Sequence, residues 1–124
     1  MSEYTPDRWT VIRIHAPKEI LYKVFASWSG GGLMGSDSWK INSGIVRATL
    51  VDNHWEFDGS SGSVYRCHCD GYGTNGYGQA VLGNLLSQAK EQGIQIDVLD
   101  RETDWAQLEY EPLAQWVQNG VNDV

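Results

Sequence analysis

Apolar and polar residues alternate with period two along most of this chain, and one segment breaks the alternation with a period near 3.6. That single change of period restricts the fold more than any other feature. From Trp9 to His15, Thr10, Ile12 and Ile14 oppose Trp9, Val11 and Arg13. From Ile20 to Trp28, one side carries Ile20, Tyr22, Val24, Ala26 and Trp28, and the other carries Lys23 and Ser27. Both read as strands, with a turn at Pro17 between them. Ser29 to Gly44, with its Gly30-Gly31-Gly32 run, reads as one long loop. Ile45 to Val51 is the next strand, with Val46, Ala48 and Leu50 opposed to Arg47 and Thr49. Asp52-Asn53 turns into Trp55-Glu56-Phe57, and Gly59-Ser60-Ser61-Gly62 turns into Ser63 to Cys69.

The helical period falls on Val81, Leu82, Leu85, Leu86 and Ala89. Thr74 or Asn75 is placed to cap the start of this helix and Gly93 to close its end. Gly83 inside it costs roughly 1 kcal/mol of helix propensity, a cost consistent with close packing on a sheet. Ile94, Ile96 and Val98 alternate again, as do Ala106, Leu108 and Tyr110. These two segments predict a last hairpin across Asp100 to Thr103, with a helix from Asp104 as the competing reading. Pro112 would break such a helix and instead suits the first position of a short C-terminal one through Val117. The expected fold is α+β: an antiparallel β-meander sheet with one principal helix on one face, all within a single domain of residues 1–124.

Charge narrows the function classes. The chain of 124 residues carries a net charge of -7, and its nine Lys and Arg are scattered without a run. Such a surface repels phosphate backbones, so nucleic-acid binding is not expected. Cys67 and Cys69 are too few for a disulfide framework and read as reduced thiols. The first residues lack the pattern of a signal peptide, and no apolar run reaches the roughly 18–20 residues of a membrane span. A soluble cytoplasmic protein is the expectation.

Gly71-Tyr72-Gly73-Thr74-Asn75-Gly76 is a literal G-x-G-x-x-G between a predicted strand and a predicted helix, with Asp97 following 21 residues after Gly76. A dinucleotide fold needs a buried parallel sheet, and Val64-Tyr65-Arg66-Cys67-His68-Cys69 alternates and carries charge. A simpler nucleotide pocket at the helix start stays open. Its phosphate would meet Gly71, Gly73, Thr74 and Asn75, Arg47 or Arg66 would supply counter-charge, and Trp39 or Tyr72 would stack on the base. Cys67-His68-Cys69 with His54 and His15 offers metal-ligand chemistry. Adjacent strand residues point to opposite faces, however, so no metal is expected. Ser29, Ser36, Ser38, Ser60 and Ser61 lack a G-x-S-x-G elbow or a spaced base, so no catalytic residue is assigned and no cofactor is expected.

Acidity concentrates at the end. Residues 93–124 hold seven acidic residues and one basic residue, Arg101. Asp97, Asp100, Glu102, Asp104 and Glu109, with Trp105 beside them, would form an acidic and aromatic surface on the predicted hairpin, suited to a basic protein partner. An open sheet edge or the exposed tryptophans would also serve a homodimer.

Gly35-Ser-Asp-Ser-Trp-Lys-Ile-Asn-Ser-Gly44, taken with Gly59-Ser-Ser-Gly-Ser-Val-Tyr-Arg-Cys-His68, resembles small accessory proteins encoded by tailed bacteriophages, over about residues 20–75. The resemblance carries no site residue across. It implies a setting, an infected bacterial cytoplasm, and a class of action, inhibition of a host protein or defence complex. The leading expectation is therefore a non-enzymatic inhibitor acting through the acidic surface. A protein that sequesters a signalling nucleotide is the alternative.

Overall fold

In the computed structural model, residues 3–30 and 37–110 are described. The chain runs β1 (Glu3–Tyr4), β2 (Arg8–His15), β3 (Ile20–Trp28), β4 (Ser38–Ile41), β5 (Ile45–Val51), β6 (His54–Gly59), β7 (Val64–His68), α1 (Gly76–Glu91) and β8 (Gln95–Val98). The fold is α+β, but the strands divide into two four-stranded sheets rather than one, in the orders β1-β7-β6-β5 and β4-β3-β2-β8. All pairings are antiparallel except β1 with β7.

Why two sheets form is visible in β2 and β3, which are apolar on both faces. Trp9 and Val11 of β2 and Tyr22, Val24 and Ala26 of β3 face the first sheet, where Ile45, Ala48, Phe57, Tyr65 and Cys67 complete a shared core. Ile12 and Phe25, on the opposite face, pack under Leu82 of α1, with Ile14, Ile41, Val81, Leu85, Leu86 and Ile96 around them. A sheet wet on one side has no use for the second apolar face. The result is three layers, with the second sheet in the middle.

The alternation read in β2 and β3 holds along their paired length, from Arg8 opposite Ser27 to His15 opposite Ile20. Asp52 and Asn53 both take positive φ (49° and 63°) in the two-residue turn joining β5 to β6. That is the geometry matching the twist of a hairpin, and Asn and Asp tolerate it best after Gly. α1 starts where Asn75 caps it, its side chain accepting from the Gly78 N–H at 2.6 Å, and Gly93 closes it at φ 75°.

Several expectations are corrected. Ser29 to Gly44 is not all loop: Ser38–Ile41 pairs with β3, with Trp39 stacked on Phe25 and Ile41 joining the helix-side core. Leu50 does not share a buried face with Ala48. A register shift between Ile45 and Arg47 turns the strand, and Leu50 is 56% exposed. Gly83 does not permit close packing, since a Cβ there would meet nothing within 4 Å. The close approach is at Gly78, where a Cβ would lie 3.2 Å from Ser27 Oγ. The last hairpin does not form: β8 pairs with β2, and Trp105–Gln107 is a turn of 3-10 helix. The predicted helix Pro112–Val117 lies outside the described residues, as do residues 31–36 of the predicted loop. No helix among the described residues is long and apolar enough to cross a membrane.

Candidate functional site: an acidic loop on an aromatic plug

After β8 the chain crosses one open end of the layered core. The Leu99 N–H donates to Val11 O at 3.0 Å, and the Tyr72 hydroxyl donates to Leu99 O. Asp100 then makes a local turn, accepting on Oδ1 from the Glu102 N–H at 3.1 Å, while the Thr103 N–H donates to Asp100 O. Asp104 does the same one turn later, capping the 3-10 segment by accepting from the Ala106 N–H at 3.1 Å. Asp side chains favour such turns because a short carboxylate reaches the N–H two residues on.

Trp105 explains why the segment abandons the hairpin. It is 2% exposed and fills the end of the core. Its ring stacks on Tyr72 at 5.6 Å and 29° and meets the edges of Trp9 and Phe57 at 5.7 and 6.2 Å. Tyr110 closes the segment: its ring packs edge-on against Tyr22 at 5.5 Å, and its hydroxyl donates to Trp105 O. Burial pushes the Tyr110 and Tyr72 hydroxyls above the usual tyrosine range, so both remain donors at neutral pH. A strand pairing with β8 would have given Trp105 one neighbouring strand to pack on. The turn gives it the core.

The predicted partner-binding residues thus separate into three kinds. Asp100, Glu102, Asp104 and Glu109 are exposed, and none has a cationic partner among the described residues. Trp105 is an anchor beneath them and not a contact surface. Asp97 belongs elsewhere, because its carboxylate is held within this chain. Oδ2 accepts from Arg13 Nη2 at 3.0 Å and His15 Nε2 at 2.8 Å, and Gln95 Nε2 donates to Oδ1 at 3.2 Å. These bonds, that from His15 foremost, hold the Asp97 carboxyl down at about 2. Its charge is balanced by Arg13, and it pins β8 to β2 rather than extending the acidic surface.

The residues named for a nucleotide pocket are not brought together. Arg47 pairs with Asp58 at 2.8 Å and Arg66 with Glu56 at 3.2 Å, both on the outer face of the first sheet, with both sheets between them and α1. Tyr72 is committed to Leu99 and Trp105. The Gly73 N–H donates to Trp9 O at 2.8 Å, and a Cβ on Gly71 would come within 3.2 Å of Asp7 O. Asn75 spends its carbonyl on the helix cap, and Thr74 contributes no described contact. Of the stacking and counter-charge residues named, Trp39 lies on the strand edge facing the helix start, opposite Ser27, and is 40% exposed. The glycines serve a bend from strand to helix. Trp28 is a core-end residue, its Nε1 donating to Thr5 O at 3.0 Å.

Sequence reading missed the companions of Asp97, since Arg13 is 84 residues away and reaches it only through the β2–β8 pairing. It also missed that His54 faces His68 across β6 and β7. The chain matches no known protein-family model, and no curated protein or solved structure is detectably similar to it.

Proposed function

We propose that the chain is a non-enzymatic binding protein that docks on a basic surface of another protein through the loop Asp100–Glu109 and inhibits it by occupying that surface. One observation carries this reading: Asp100, Glu102, Asp104 and Glu109 are exposed, with no cationic partner among the described residues, on a loop fixed from below by Trp105 and Tyr110. The Asp100 and Asp104 carboxylates, held by backbone N–H groups before binding, lose little freedom on capture, and the common sign of all four steers a cationic partner at long range. The resemblance to small phage accessory proteins supports the setting, a bacterial cytoplasm, and a host protein or defence complex as the target.

The test must separate charge from architecture, because Asp100 and Asp104 also accept backbone N–H bonds. Asp100→Asn and Asp104→Asn keep an acceptor and remove the charge. Glu102→Lys and Glu109→Lys reverse charge at side chains without such a duty. The combined variant is compared with the unsubstituted chain for capture of bacterial proteins and for slowed growth on expression in the host cell. The expected result is capture that weakens as salt is raised and is lost, with the growth effect, in a variant whose circular dichroism is unchanged. Undiminished capture by the folded variant rejects the proposal.

A further inference from the structure

The outer face of the first sheet holds a feature independent of the acidic loop. The Cys69 N–H donates to Asn53 O at 2.9 Å across the β6–β7 ladder. The next rung, His54 opposite His68, is therefore a non-hydrogen-bonded pair, the kind in which facing side chains sit closest. The two imidazole rings are 4.8 Å apart between centroids, at 80°. His54 directly follows the Asp52-Asn53 turn, which fixes its backbone.

The hydrogen bonds define the protons. His54 Nδ1 lies 3.0 Å from Asp52 O. A carbonyl only accepts, so Nδ1 carries the hydrogen and Nε2 presents a lone pair. This is the arrangement that orients a metal-bound histidine, its second nitrogen donating to a backbone carbonyl. His68 Nδ1 accepts from the Asp70 N–H at 3.0 Å, and the Asp70 carboxylate stands 3.9 Å from the same nitrogen.

We propose that His54 and His68 bind a divalent transition-metal cation of the zinc, nickel or copper class through their Nε2 atoms. Metal–imidazole bonds run about 2.0–2.1 Å, so rings whose centroids stand 4.8 Å apart are close enough for one ion to bridge once both Nε2 atoms turn toward it. Binding requires the neutral His68 ring to move its hydrogen from Nε2 to Nδ1. The ring then turns Nδ1 away from the Asp70 N–H toward the Asp70 carboxylate, which closes in from 3.9 Å to accept that hydrogen. No proton is lost from the pair, and Asp70 is a positioning residue.

Among the described residues no three metal-ligating side chains gather at one point, so the remaining coordination positions fall to water or to a donor from another molecule. Cys67, one residue before His68, is buried on the opposite face. A thiol on that face cannot reach an ion held between the two outer rings.

Zinc chloride titrated into the full chain at neutral pH tests the site, followed by calorimetry and by nitrogen-15 shifts of the histidine rings. Expected are saturable binding of one ion and movement of both His54 and His68 Nε2 signals, with His15 unmoved. His54→Asn or His68→Asn should weaken binding by about tenfold or more, and Asp70→Ala by a smaller factor; Cys69→Ser should leave it unchanged. Stationary His54 and His68 signals at millimolar zinc overturn the proposal. So does saturable binding that survives both histidine substitutions. The ring spectra of the unsubstituted protein decide the question even where a variant is unstable.

Discussion

Replacing Trp105 with alanine removes the anchor of the acidic loop and should cost about 3–5 kcal/mol, the range for deleting a buried tryptophan. The upper half of that range applies here. The side chain is 2% exposed and meets Trp9, Phe57 and Tyr72 in geometries that add about 0.5–1.5 kcal/mol per aromatic pair beyond area alone. A domain of this size holds about 5–15 kcal/mol in total, so the variant would melt roughly 10–20 °C lower. Urea unfolding followed by far-ultraviolet circular dichroism measures the loss without depending on the deleted fluorophore. Hydrogen exchange localises it: protection of the Leu99, Ala106 and Gln107 amides should fall before that of β2 and β3. Trp105→Phe should recover more than half the loss. A cost under about 1 kcal/mol, with those amides still protected, would refute the argument that the ring holds the loop.

The Asp97 carboxyl, held down at about 2 by His15, Gln95 and Arg13, binds a proton less readily folded than unfolded. Its stabilisation should be complete above about pH 4 and disappear as pH falls through about 2, and Asp97→Asn should flatten that part of a melting-temperature profile. Gly78→Ala should destabilise by about 1 kcal/mol, because the new Cβ would stand 3.0 Å from the capping oxygen of Asn75 and 3.2 Å from Ser27 Oγ. Gly83→Ala, with nothing within 4 Å, should stabilise by up to about 1 kcal/mol, and chemical denaturation distinguishes the two signs. Tyr72→Phe should cost about 1–2 kcal/mol by leaving Leu99 O without its donor, again read from urea midpoints.

The strands and helix that follow one local period were legible in the sequence. β2, β3 and α1 lie where the pattern places them, and Asn75 and Gly93 cap the helix by the chemistry expected of them. What failed was information carried by distant partners. Ser38–Ile41 has only four residues and becomes a strand because Trp39 and Ile41 find Phe25 and the helix-side core. The hairpin after β8 rested on alternation through Ala106, Leu108 and Tyr110. One tryptophan entering the core outweighs that alternation, and no local period encodes it. The turn after β6 closes on Asp58 opposite Val64. Shortening it to Gly59–Gly62 slips the register by one and sets His54 against Cys67, hiding the histidine pair. In the candidate site, the charge of Asp100, Glu102, Asp104 and Glu109 was legible. The neutralisation of Asp97 was not, because Arg13 and His15 arrive from the other end of the chain.

The pairing of β2 with β8 also fixes when the acidic loop comes into being. Arg13 must wait for Asp97, 84 positions later in synthesis, before the central sheet has its last strand. Contacts that close so long a loop form slowly, and a ribosome delivers the amino-terminal strands first. A nascent chain can thus stack its early strands while the Trp105 seat stands open, so the acidic loop takes its shape only after the sheets beneath it have begun to form.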